Sequence, residues 1–185
     1  MAQQGKIVAV TGASGYVGTK LLERLEQEPG VRKMVAFDVN PLPLPVHNIA
    51  FYRKNVSESI EDELNEQGAT TLVHLAFNAH RGANRREVTA VHDENVETLR
   101  SVMASCVNSR ITHLIYLSSH SVYGAHSYNP FPIPPTLPCG RPLIFPSPTT
   151  SNSAKWSCRN SRWPKATLKS QLSGRVSCWV TVPTI

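Results

Sequence analysis

The sequence predicts an α/β fold, a doubly wound parallel sheet followed by an irregular C-terminal tail, and three observations carry that prediction. Short apolar, β-branched runs recur through residues 1–133 and are separated by segments of helical periodicity. A glycine-punctuated turn joins the first run to the first periodic segment. From Pro134 onward both signals stop.

The first strand is Lys6 to Val10, and the turn Thr11-Gly-Ala-Ser-Gly-Tyr-Val-Gly18 follows it at once. From Val17, the residues Val17, Leu21, Leu22 and Leu25 recur at helical spacing, with Lys20, Glu23, Arg24 and Glu26 on the opposite face, which makes an amphipathic helix. Met34 to Asp38 is a strand ending in an acid, and the Pro-rich stretch Pro41 to Pro45 is a loop because proline breaks a helix interior. Ile49 to Tyr52 reads as a third strand, Ser59 to Asn65 as a short acidic helix and Thr71 to Leu75 as a fourth strand. Glu94 to Asn108 places Val96, Leu99, Val102, Met103 and Cys106 on one helix face, and His113 to Leu117 is a fifth strand. Such alternation implies right-handed crossovers and a sheet covered on both faces.

Charge divides the chain in the same place. Residues 1–133 carry 12 Lys/Arg against 13 Asp/Glu, whereas residues 134–185 carry 7 Lys/Arg and no acid. The net charge of +6 therefore belongs to the tail, where the basic residues are scattered among prolines with no aromatic-basic stripe, so nucleic acid is not expected as a partner. No run reaches the 18 or so apolar residues of a membrane span and the N-terminus has no signal-peptide profile, so no membrane partner and a cytoplasmic location are expected. The tail cysteines lack CxxC spacing, and His74 and His113 sit in apolar strands as structural residues; no metal site is expected.

Gly12, Gly15 and Gly18 occupy the strand-to-helix turn, where a backbone that turns sharply lets a pyrophosphate approach the helix N-terminus; bulk there would block the approach. Asp38 ends the next strand 20 residues after Gly18, where a carboxylate accepts both ribose hydroxyls of an adenosine and repels a 2′-phosphate. NAD is favoured over NADP.

The turn resembles the TGxxGxxG turn of the extended short-chain dehydrogenase/reductase family, and the resemblance runs over about residues 5–133, nearest to the NAD-dependent epimerase/dehydratase enzymes. Val73-His-Leu-Ala76 resembles the strand under the adenosine, Asn95 the family's helix asparagine, and Tyr116-Leu-Ser-Ser-His-Ser-Val-Tyr-Gly124 its serine strand. The resemblance implies a Rossmann-type domain over residues 1–133 whose cofactor contacts are Gly12, Ser14, Gly15, Tyr16, Val17, Gly18, Asp38, Asn55, Val56, Leu75, Ala76, Asn95 and Ser118. Asn55 departs from the acid the family usually places near the adenine amine, although an amide can still accept that hydrogen bond. It also implies a small-molecule substrate, nucleotide sugars among the candidates, hydride transfer at a substrate hydroxyl, and leaves room for a homodimer of intact relatives.

Ser119, four positions before the tyrosine of Val-Tyr-Gly, is the candidate catalytic residue that would hydrogen-bond the reacting oxygen, ahead of Ser118 and Ser121. The family's acid/base pair, a tyrosine and a lysine four residues on, should follow residue 140 and is absent: the last tyrosine is Tyr128, with Pro132 four positions later. Tyr16 and Lys20 match the spacing in the wrong place, within the turn and first helix. The alternative is a non-catalytic NAD-sensing or protein-interaction module.

The tail, residues 134–185, reads as out-of-frame sequence, the competing view being a genuine Pro-rich tail that is disordered or binds a partner. If one base was lost or gained near Ile133 to Gly140, each original residue spans the last base of one present codon and the first two of the next. Over Thr167 to Ile185, the Cys178–Trp179 junction then forces Leu and Trp179–Val180 forces Gly, and the other junctions allow P-E-V-T-V-I-R-P-G-V-V-L-G-x-G-P-N, which resembles the family's sixth strand. Without that strand the fifth is expected to be an exposed sheet edge.

Overall fold

A computed structural model describes residues 5–80, 83–119, 131 and 176–181. The strands β1 (Lys6–Thr11), β2 (Val31–Asp38), β3 (Ile49–Arg53), β4 (Thr71–His74), β5 (His113–Ser119) and β6 (Val176–Thr181) form one sheet in the order β3-β2-β1-β4-β5-β6. Every pairing is parallel. The helices are α1 (Tyr16–Glu26), α2 (Glu61–Gln67) and α3 (Arg85–Val107).

Side chains alternate across each strand, so one sheet feeds two cores. Ile7, Ala9, Val35, Phe37, Leu72 and Leu114 face α2 and α3, meeting Leu64, Val102 and Cys106. Val8, Val10, Met34, Ala36 and Val73 face the other way and meet Leu22 of α1. Near-continuous apolar strands are what a parallel sheet buried on both faces requires, and this is the Rossmann-type architecture.

Several features differ from the sequence expectation; β2, for instance, begins at Val31 rather than Met34, and β5 runs to Ser119 rather than Leu117. The helix expected from Glu94 begins at Arg85, because Asn84 Oδ1 accepts from Glu87 N at 3.0 Å while Glu87 Oε2 accepts from Ala83 N at 2.6 Å, a reciprocal cap on a segment with little apolar periodicity. The helix expected at Ser59 begins at Glu61, since Ile60 N is taken by Ser105 Oγ at 3.1 Å; it closes on Gly68, whose φ of 67° is left-handed. Finally, β6 pairs with β5 from Leu114↔Val176 to Ser119↔Thr181, so β5 is not an open edge. Pairing satisfies the outward N–H and C=O groups that the sequence reading left exposed. The rest of the tail, with Cys139, Cys158 and Ser121 to Tyr128, lies outside the described residues. Among the described residues no helix is long and apolar enough to cross a membrane.

Candidate cofactor-binding site

The chain runs from β1 outward through β2 and β3, then returns to β4 on the other side of β1. Strand order reverses between β1 and β4, and ligands of open parallel sheets bind in the crevice at such a reversal, beyond the carboxyl ends of the strands. A cleft of about 480 Å³ lies there. Of the residues named from sequence, Gly12, Ser14, Gly15, Asp38, Asn55, Val56, Leu75, Ala76 and Asn95 line it.

The three glycines have three different reasons. Gly12 has φ +70°, and a Cβ on it would lie 2.6 Å from Ala76 N, so the turn is pressed against the backbone after β4. A Cβ on Gly18 would lie 2.2 Å from Gly12 O and 2.8 Å from Ala13 Cα. Bulk at Gly18 would therefore strike the protein's own turn, which corrects the expectation that it would block a ligand. Gly15 is unlike both: its φ is −69° and a Cβ would meet only Gly12 O, at 3.4 Å. No contact among the described residues requires glycine at that point on the cleft wall.

Tyr16 and Val17 form the first turn of α1 with Gly18 and are not among the cleft-lining residues. Tyr16 is exposed, and Lys20 Nζ bonds Glu23 Oε2 at 2.8 Å, so the Tyr16/Lys20 spacing forms no acid/base pair. No side chain caps the N-terminus of α1 and no acid lies in its first turn. Its positive end is available to an anion.

Asp38 is fixed by main-chain donors. Ser14 N donates to Oδ2 and Asn40 N to Oδ1, each at 2.9 Å, while Ser14 Oγ donates to Asn40 O at 2.7 Å. An ionised carboxylate has about four lone-pair sites, so acceptor capacity remains for two hydroxyls. Farther along, Asn55 Oδ1 accepts from Ser57 N at 3.1 Å, and the neighbouring Lys54 Nζ bonds Glu63 Oε1 at 2.6 Å.

Asn95, buried in α3, grips the loop after β4: its Oδ1 accepts from Asn78 N at 2.8 Å and its Nδ2 donates to Asn78 O at 2.9 Å. Asn78 Nδ2 in turn donates to Glu94 Oε2 at 2.8 Å. Under this loop, Thr11 Oγ1 lies 2.7 Å from His74 Nδ1, both residues buried. Burial pushes the His74 pKa down to about 4, so the ring is neutral. Burial also pushes the thiol of Cys106 up to about 12, which leaves it protonated in the core.

Ser118 and Ser119 are the last two residues of β5, at the carboxyl edge of the sheet where the cleft opens. Sequence reasoning missed Lys54, Phe77, Asn78, Glu94 and Thr98, which also line the cleft. Lys54, Phe77 and Glu94 each adjoin a residue that the sequence singled out, Asn55, Ala76 and Asn95. Among the described residues no group of three or more His, Cys, Asp or Glu could hold a metal ion.

Comparison with known proteins places this geometry. The family model described as NAD dependent epimerase/dehydratase matches residues 8–142. The chain is 24% identical over 129 residues to a dTDP-D-glucose 4,6-dehydratase of Dictyostelium discoideum, covering 64% of this chain and 30% of that one. It is 29% identical over 123 residues to the N-acetyl-alpha-D-glucosaminyl-diphospho-ditrans,octacis-undecaprenol 4-epimerase of Escherichia coli O157:H7, covering 66% and 35%. In fold it is similar to the UDP-glucuronic acid 4-epimerase of Bacillus cereus, solved with NAD and UDP-4-deoxy-4-fluoro-glucuronic acid, at a TM-score of 0.71 and 18% identity over 94% of this chain and 55% of that one. The chain thus spans about a third of the length of these curated relatives. On the family match, which runs from within β1 through β5 and takes in every described residue lining the cleft, this chain belongs to the NAD dependent epimerase/dehydratase family.

Proposed function

We propose that the chain binds NAD along the carboxyl edge of the sheet, as the cofactor-binding part of an epimerase/dehydratase-type oxidoreductase whose substrate is a nucleotide sugar. The observation that carries this reading is Gly15, a glycine on the cleft wall that no contact among the described residues demands. A ligand pressed against the backbone supplies the missing reason, and a diphosphate suits the uncapped N-terminus of α1 beside it. Asp38 accepts the adenosine ribose hydroxyls and opposes a 2′-phosphate. Asn55, its oxygen held by Ser57 N, and Val56 border the adenine; Leu75 and Ala76 lie beneath the adenosine, and Asn95 holds their loop.

When bound, the nicotinamide accepts and returns a hydride. The chain's own part is to orient that ring, and Ser119, at the end of β5, hydrogen-bonds the reacting substrate oxygen. With no tyrosine–lysine pair to move the proton, turnover by this 185-residue chain is negligible, since a missing acid/base typically costs about 10²–10⁴-fold. Loss of that pair favours a second reading, a non-catalytic NAD-sensing or interaction module.

The acid-free composition of residues 134–185 supports the out-of-frame origin of the tail. Sequencing the coding DNA from independent isolates tests it: one uninterrupted frame everywhere, with no family-like sequence in the alternative frame, would refute it. For cofactor binding, calorimetry of the folded chain should show heat with NAD and at least tenfold weaker binding of NADP. No heat with either dinucleotide would reject the proposal.

A further inference from the structure

The two sides of the cleft floor, the glycine turn after β1 and the backbone after β4, are tied together at Thr11, through its carbonyl and its hydroxyl. Thr11, the last residue of β1, is buried; its carbonyl accepts from Leu75 N at 3.0 Å and its Oγ1 from Ala76 N at 3.4 Å. The next residue, Gly12, is packed so closely on Ala76 that no side chain fits between them. The gap that Gly12 and Ala76 border is therefore set by how Thr11 holds Ala76.

A hydroxyl carries one hydrogen and rotates freely until that hydrogen finds an acceptor. For Oγ1 to offer Ala76 N–H a lone pair, its hydrogen must point elsewhere, and His74 Nδ1 lies 2.7 Å away. Accepting it requires a neutral ring with its hydrogen on Nε2. Complete burial keeps the ring neutral, and Tyr116 stacks on it with centroids 5.8 Å apart and planes 21° apart.

We propose that His74 is a positioning residue for the cofactor: by accepting the Thr11 hydroxyl hydrogen at Nδ1 it turns a lone pair onto Ala76 N–H, and so fixes the spacing between the glycine turn and the β4 wall where the dinucleotide lies. The assignment rests on the NAD reading above. His74 and Thr11 do not line the cleft, so the effect passes through the backbone of Gly12 and Ala76. A residue chosen only to fill the core would need no acceptor facing Thr11.

His74→Phe keeps a ring against Tyr116 and removes the acceptor, whereas His74→Asn restores an acceptor near the Nδ1 position. NAD affinity should fall about tenfold in His74→Phe, the worth of one hydrogen bond, and return to within about threefold of the parent in His74→Asn. Nitrogen-15 spectra of the unmodified chain at about pH 7 should show Nδ1 unprotonated, and the Ala76 amide proton should move upfield in His74→Phe. Should His74→Phe not fold, Thr11→Val against Thr11→Ser makes the same comparison from the other partner, Val losing affinity and Ser keeping it. Parental affinity in His74→Phe or Thr11→Val, or a hydrogen on Nδ1 in the unmodified chain, overturns the proposal. If the unmodified chain binds no NAD, the cofactor reading fails first, and the tautomer with the Ala76 amide shift still decides whether His74 orders the turn.

Discussion

Replacing each turn glycine by alanine separates packing from ligand approach. In Gly18→Ala the new methyl falls 2.2 Å from one backbone atom and 2.8 Å from two others, none of which can swing aside as a side chain would. Overpacking of this kind costs about 1–3 kcal/mol. At roughly 2–4 °C per kcal/mol for a chain of this size, the melting point should drop by about 2–12 °C. Gly12→Ala adds about 1–2 kcal/mol for a left-handed backbone to a clash of 2.6 Å and should fall further. Gly15→Ala has an ordinary φ and a nearest contact of 3.4 Å, so only the helix-start preference changes, by about 0.5–1 kcal/mol. Yet its methyl stands on the cleft wall, and NAD affinity should drop more than tenfold. Thermal denaturation paired with calorimetric titration reads both quantities. If Gly15→Ala melts as low as Gly18→Ala, or binds NAD like the parent, the division of roles is wrong.

Asp38→Ala should weaken NAD about 10- to 100-fold by calorimetry, since it removes a charged acceptor and also frees Ser14 N and Asn40 N. Asn95→Ala leaves the main-chain N–H and C=O of Asn78 without their clamp and should cost about 1–3 kcal/mol in urea unfolding; an unchanged midpoint would contradict that role. His74 makes stability depend on pH in a defined direction. Its pKa of about 4 in the fold lies below the ordinary 6.5, so the unfolded chain takes up the proton first as pH falls. This contribution is present above about pH 6.5 and is lost on acidification toward pH 4, amounting to about 2 kcal/mol between pH 7 and 5. The difference in urea midpoint between those two pH values should be smaller in His74→Asn than in the parent.

The periodic parts of the chain were legible before any coordinates. Strands such as Val8 to Val10 are apolar on both faces, and the Leu21/Leu22/Leu25 stripe opposes charge, so period alone assigned them. The first half of α3 escaped because residues 85–93 are mostly polar and are held by a cap at Asn84 and Glu87 rather than by an apolar stripe. At the cleft, spacing located Gly12, Gly15 and Asp38. It could not show that Gly18 serves the packing of the helix on its own turn, where a Cβ would fall 2.2 Å from the carbonyl oxygen of Gly12. Asn78 and Thr98 reach the cleft only because α3 folds back over the loop after β4, and no local pattern announces that return. The partner of His74 lies 63 positions away in sequence, beyond any periodicity argument.

Among the described residues, those lining the cleft fall between Gly12 and Thr98. A polypeptide leaving the ribosome amino end first therefore emerges with this part of the cleft before β5 is synthesised. If NAD binds there as proposed, a coenzyme captured at that point would add about 2.7 kcal/mol to the nascent domain at a concentration one hundred times its Kd. Cellular dinucleotide supply becomes an input to how much of this polypeptide reaches its folded form.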